Sequence, residues 1–168
     1  MWMTTVPRGA IEEVWNRLCN LDHKQSEKLI KQFFGAQPAL GIYLAAQQDN
    51  LGTDAEDSPM IELSIAVWQT MTQIAGRPLP TVSSEAIDAA EERNTQNLEM
   101  LGEGSEFDWQ SHVRTTIEDY NQRELLGFGV EVLMARYEEE PDLAPESVGL
   151  EMLGLKTVID SLDQQEGT

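Results

Sequence analysis

The amino-acid sequence predicts an all-α protein, an irregular bundle of about seven or eight helices in a single compact domain. Three observations predict it. Bulky apolar residues recur at steps of three and four along most of the 168 residues. No segment alternates apolar and polar side chains as a half-buried strand would, and proline or glycine interrupts the rhythm at intervals suited to short helices. The length suits one hydrophobic core. A finer division at the 76–80 break would separate a neutral, apolar-rich helical half (1–76) from an acidic helical half (81–168).

The first helix is expected over 10–20, with Ile11, Val14, Trp15 and Leu18 on one side and Glu12 and Glu13 at its dipole-positive start. Cys19, the one cysteine, cannot form an intrachain disulfide. It reads as a small buried hydrophobe in a reducing compartment. Asp22 is placed to cap a second helix over 23–34, which holds Leu29, Ile30, Phe33 and Phe34 and stops at Gly35. Pro38 opens a third, whose 39–46 stretch is apolar on nearly every side and is predicted to be buried. Residues 47–58 are polar and read as an exposed loop. Ser58 and Pro59 start the next helix, to residue 75, and its Ile61, Ile65, Trp68 and Met71 row makes it the expected central helix. Pro78 and Pro80 then stiffen an extended connection.

The helix expected from 83 or 84 to 101 is the most polar. Ile87, Ala90, Leu98 and Leu101 form a thin stripe with Asn94 among them, which places it on the outside of the bundle. A helix over 106–120 would align Trp109, Val113, Thr116 and Tyr120. Asn121 and Glu124 then resemble a capping box at the start of another helix, unless the two are one kinked rod. In that later helix Leu126, Val130, Leu133 and Tyr137 share a face, and Phe128 falls among Glu124, Glu131, Glu138 and Glu139 on the opposite one. Phe128 is therefore expected to be exposed and is a candidate contact residue. Gly127 and Gly129 read as helix-packing positions. In the last helix Val148, Met152, Leu155, Ile159 and Leu162 follow strict four-three spacing, a seam against another helix, with Gly149 and Gly154 allowing close approach. The tail from Asp163 onward is expected to fray.

Charge narrows the function classes. Thirty acidic and 11 basic residues leave a formal charge of −19. Residues 1–50 hold five of each sign, residues 51–100 nine acidic against two basic, and residues 101–168 sixteen against four. Such a field repels phosphate backbones, so direct nucleic-acid binding is not expected. Lys24, Lys28 and Lys31 are the exception. Their helical spacing makes one basic stripe, a docking strip for an acidic partner or for the acidic part of a second copy. The N-terminus has no secretory core, and the apolar stretch 60–75 carries Glu62 and falls short of the ~20 residues that cross a bilayer. A cytoplasmic protein without membrane contact is expected.

Catalytic motifs are sparse. Neither histidine belongs to a Glu-x-x-His pair, because Asn20 stands three residues before His23 and Trp109 three before His112. His112 reads as a partly buried, satisfied side chain. Glu91, Glu92, Glu118 and Asp119 offer acidic pairs to a divalent cation, although carboxylate doublets are common in so acidic a chain. There is no nucleophile elbow and no phosphate-cradling glycine loop. No catalytic residue, cofactor or metal ligand is assigned. The reading that follows is a non-enzymatic helical module that binds an unidentified protein or a second copy of itself, with Lys24, Lys28, Lys31 and Phe128 as contact candidates. The alternatives are an acidic mimic that occupies a nucleic-acid-binding protein, and a helical enzyme with a carboxylate-bound metal.

Overall fold

Asp22 illustrates how local chemistry sets the helix boundaries. Its carboxylate accepts from the backbone N–H of Gln25 at 2.7 Å while the Gln25 side chain accepts from the Asp22 N–H at 3.1 Å, a reciprocal cap that satisfies two donors at a helix start. In the computed structural model, which describes residues 4–55, 57–101, 114–115 and 117–163, seven α-helices are laid out. They are α1 (Arg8–Cys19), α2 (His23–Ala36), α3 (Pro38–Leu51), α4 (Met60–Ala75), α5 (Ser84–Leu101), α6 (Arg123–Glu139) and α7 (Pro145–Asp163). A single 3-10 turn, Gly52–Ala55, follows α3. The fold is all-α, and no strand occurs among the described residues. None of the described helices is long and apolar enough to cross a membrane.

The last helix, and not 59–75, occupies the centre. α7 packs against α3, α4, α5 and α6 of the same chain, so the partner of its predicted seam lies within this molecule. Every residue from Thr157 to Asp163 is buried. A one-sided stripe is therefore too narrow a description of its C-terminal half, which is enclosed all round and carries small or paired polar residues where it is not apolar. α4 lies beside it with Leu63, Ile65, Ala66, Val67 and Met71 buried. α1 spans α4 and α6, and α2 lies on α3 and α4. The core draws on residues before 76 and after 81 alike, from Ile11, Phe33 and Leu44 to Leu125, Leu155 and Ile159.

Two glycines set helix spacing. A Cβ on Gly129 would lie 2.1 Å from Leu155 Cδ2, and one on Gly41 would lie 2.1 Å from Phe34 Cδ1; these positions let α6 meet α7 and α3 meet α2 without a side chain between them. Gly127 and Gly149, in contrast, have nothing within 4 Å of such a Cβ, so they are not packing positions. Gly76 closes α4 in the left-handed conformation at φ 68°, with its N–H returned to the carbonyls of Thr72 and Gln73.

Several expectations are corrected. α2 runs through Gly35 to Ala36. α3 continues to Leu51 because Gln47 and Leu51, four residues apart, both turn inward, while Ile42 points outward at 73% exposure; the 39–46 stretch is not buried on every side. Residues 47–58 are thus helix and turn in good part, and not an exposed loop. α5 lies against α7, with Ile87, Ala90 and Asn94 buried. Asn121 does not cap α6. Its amide donates to Asp163 instead, at 3.0 and 3.4 Å from the two carboxylate oxygens, and Tyr120 to Gln122 separate α6 from the helical residues 117–119. Asp163 is buried and hydrogen-bonded, so fraying does not begin there. Cys19 is exposed, because it follows Leu18 on the outward side of the last turn of α1. Most of the 106–120 helix, with Trp109, His112, Val113 and Thr116, lies outside the described residues.

Candidate functional site

Lys24, Lys28 and Lys31 fall at intervals of four and three, so α2 carries them on one side, and all three are exposed. The opposite side of α2 is anchored by Phe33, which is fully buried and packs edge-on against Trp68 with ring centroids 5.5 Å apart. The lysines line an open, shallow groove of about 630 Å³ on α2 together with Gln25, Gln32 and one acidic residue, Glu27. A second groove of about 250 Å³ adjoins it, sharing Gln25, Lys28 and Gln32 and adding Arg17, Leu18, Leu21 and Leu29. Within the stripe, Lys31 makes one loose contact with Glu27 at 3.8 Å, with both side chains more than half exposed; such a pair contributes little and leaves the ammonium open to another carboxylate. Cations thus gather beside half-buried leucines at the α1–α2 junction.

Phe128 is not part of an exposed surface. It is buried at 8% exposure, stacked edge-on to Trp15 at 6.0 Å and covered by the Arg8 guanidinium 5.2 Å from its ring centre. Arg8 is held there by Glu131, which accepts from Nη1 and Nη2, and by Glu12, which accepts from Nε at 2.8 Å. Those carboxylates raise the Arg8 pKa further, and Arg8 in turn holds Glu131 below the usual carboxylate range. A polar-looking side of α6 is therefore closed by α1, with the charges as a lid over the ring.

Two polar clusters inside the bundle went unseen in the sequence, and both centre on α7. In the first, Glu151 accepts from the Ser58 hydroxyl at 2.7 Å and from Arg136 Nη1 at 3.0 and 3.2 Å. Arg136 also donates to the Asp54 carbonyl at 2.6 Å, and the Asp54 carboxylate accepts from Ser147 at 2.6 Å. Burial, reinforced by the charges of Asp54 and Glu140, pushes the Glu151 carboxyl above its ordinary value in spite of Ser58 and Arg136. In the second, Asp160 accepts from Tyr120 on one oxygen and from Asn94 (3.1 Å) and Lys156 (2.9 Å) on the other. Asn94 also donates to Thr157 at 3.1 Å and accepts from Lys156 at 2.7 Å. Burial and the adjacent Asp160 push the Tyr120 hydroxyl far up. Both Asp160 oxygens are engaged by donors of the protein itself, which makes this cluster a lock between α5, α7 and the Tyr120 turn.

The faint sequence signal for the second cluster was Thr157 and Asp160, followed by Ser161 and Asp163, among the apolar residues of a final helix. Small or acidic polar groups inside an apolar rod need partners. Of the four carboxylates considered for a metal, Glu91 lies beside the Tyr43 hydroxyl, while Glu92, Glu118 and Asp119 are exposed. No three metal-binding side chains converge among the described residues. No family model matches the chain, and no curated protein or solved structure matches it either.

Proposed function

We propose that this protein is a non-catalytic binding module whose contact face is the lysine groove of α2, engaged by an acidic protein surface. The observation that carries this reading is the placement of charge. On a molecule with net charge −19, Lys24, Lys28 and Lys31 stand together along one groove, with Arg17 and the half-buried Leu18, Leu21 and Leu29 alongside. Cations on a rim steer an acidic partner and set its register, and adjoining apolar side chains supply the area that holds it.

The mimicry of nucleic acid has less behind it. A mimic needs its carboxylates outside, whereas Glu151, Asp160 and Asp163 are turned inward and Glu131 is neutralised by Arg8. The test is parallel affinity purification from the native host with the wild type and with Lys24→Glu/Lys28→Glu/Lys31→Glu, each checked for native helicity. A protein recovered in near-stoichiometric amount by the wild type and lost from the reversal is the expected result. Recovery that is indifferent to the reversal, or no recovered partner together with a strictly monomeric chain, removes the reading.

A further inference from the structure

Three openings on the outside of the bundle run into one another. The groove along α2 shares Gln25, Lys28 and Gln32 with the depression at the α1–α2 junction. That depression shares Arg17 and Gln69 with a third opening of about 220 Å³, which continues over α4 past Trp68 to Gln73. Together they form one trough across three helices. Its middle differs from its ends. At the junction the half-buried Leu18, Leu21 and Leu29 supply an apolar floor, with the exposed Arg17 on the α1 side and the exposed Lys28 on the α2 side. On the α4 side Gln69 accepts from Arg17 Nη2 at 3.4 Å.

Many cations of this chain already meet a carboxylate, as Arg8, Lys31, Arg123, Arg136 and Lys156 do. Among the described residues Arg17, Lys24 and Lys28 meet none, although the chain carries 30 acidic residues. Arg77, Arg93 and Arg114 share that state but stand on three other segments. The two carboxylates of the α2 cap and stripe are engaged, Asp22 by the Gln25 N–H and Glu27 by Lys31. Three unpaired cations thus gather where the trough has its apolar floor.

We infer that the junction is the anchor of the contact face. It takes one bulky apolar side chain from a linear acidic segment of another protein, whose flanking carboxylates meet Arg17 and Lys28 while the rest of the segment follows the trough. The inference rests on the binding reading above and adds to it the kind of segment recognised. An opening of about 250 Å³ at the junction falls below the about 300–1,000 Å³ of small-molecule pockets and suits a single side chain. An apolar anchor enclosed by a charged rim is also where interfaces concentrate their binding energy. Lys24 and Lys31, further out on α2, steer the segment and contribute less. The net charge does not bar an acidic ligand from this place. Residues 1–50 carry five charges of each sign, and a screening length of about 8 Å at physiological salt mutes the carboxylates elsewhere on the molecule.

Proton–nitrogen correlation NMR spectra of the full chain, titrated with the end-blocked peptide Gly-Glu-Glu-Leu-Glu-Glu-Gly, test this. Saturable shifts are expected in the backbone signals of residues 17–32 and in the side-chain amides of Gln25, Gln32 and Gln69. Replacing the peptide's Leu by Ser, or its Glu residues by Gln, should each weaken binding about tenfold. In the protein, Arg17→Glu and Lys28→Glu should each weaken it about tenfold, and Lys24→Glu/Lys31→Glu less than about threefold; all four side chains are exposed, and circular dichroism checks that each variant keeps its helicity. Shifts confined to other parts of the chain, no shift at all, or equal binding of the Ser or Gln peptide overturns the inference. So do the same shifts on concentrating the chain alone, which assign the trough to a second copy. Binding that survives Arg17→Glu and is lost in Lys24→Glu/Lys31→Glu removes the anchor and leaves an acidic partner on the outer lysines. A peptide that does not bind, beside a protein captured from the host in a lysine-dependent way, likewise removes the anchor and leaves the binding reading standing.

Discussion

Arg136 and Glu151 meet inside the bundle, one guanidinium nitrogen lying 3.0 and 3.2 Å from the two carboxylate oxygens, with side-chain exposures of 9% and 1%. They join α6 to α7, and through the Ser58 hydroxyl and the Asp54 carbonyl they also hold the segment between α3 and α4. Removing one member strands the other. Arg136→Ala should cost about 3–5 kcal/mol in chemical denaturation, and a loss below about 1 kcal/mol would mean that solvent reaches the pair.

The same carboxylate makes stability depend on pH in an unusual direction. Its folded pKa lies above the ordinary value, chiefly because of burial, so the native state holds this proton more tightly than the unfolded chain does. The contribution is complete below about pH 4.5 and is lost as pH rises through the elevated folded value. Glu151→Gln cannot ionise. Its stability relative to the wild type should therefore improve from pH 4 to pH 7, as measured by urea midpoints across that range; a constant difference would refute the assignment.

Gly127 and Gly129 stand two residues apart in α6, so they project to nearly opposite sides of the helix and differ in environment. At Gly129 an added methyl would fall 2.1 Å from a Leu155 methyl, and Leu155 is fully buried. Gly129→Ala should lose about 1–3 kcal/mol to overpacking, more than the ~1 kcal/mol that alanine gains in a helix. Gly127→Ala, with nothing within 4 Å, should raise the melting temperature. Equal effects at the two sites would contradict the close approach of α6 to α7.

Phe128→Ala removes a buried ring that touches Trp15 and lies under Arg8. A loss of about 3–4 kcal/mol is expected, together with a blue- or red-shift of the Trp15 contribution to fluorescence. Under 1 kcal/mol would restore the exposed reading of this side chain.

What the sequence made legible is the part governed by local rules. The Asp22 cap, the proline start of α3, the stop at Gly76 and the Leu155–Ile159–Leu162 row each depend on neighbours within a turn or two. Phe128 misled because helical phase measures direction, and not what stands in that direction; α1 arrives from more than a hundred residues away to cover it. The internal clusters were hidden for a similar reason. Asp160 and Glu151 look like two more charges in an acidic chain until Tyr120, Asn94, Ser58 and Arg136 are brought to them by tertiary packing. The lysine stripe was visible because one helix carries all of it.

Two glutamines carry a further consequence. Gln37, fully buried, accepts from Val82 N–H and donates to the Pro80 carbonyl at 3.0 Å. Gln122, also fully buried, accepts from Val6 N–H at 2.9 Å and donates to the Thr4 carbonyl at 3.1 Å. Each side-chain amide stands in for the neighbouring strand that an extended segment would otherwise need. Hydrogen–deuterium exchange should accordingly find Val6 and Val82, which belong to no helix, almost as slow as the helical core, and Gln→Ala at either position should release its own segment and not the other.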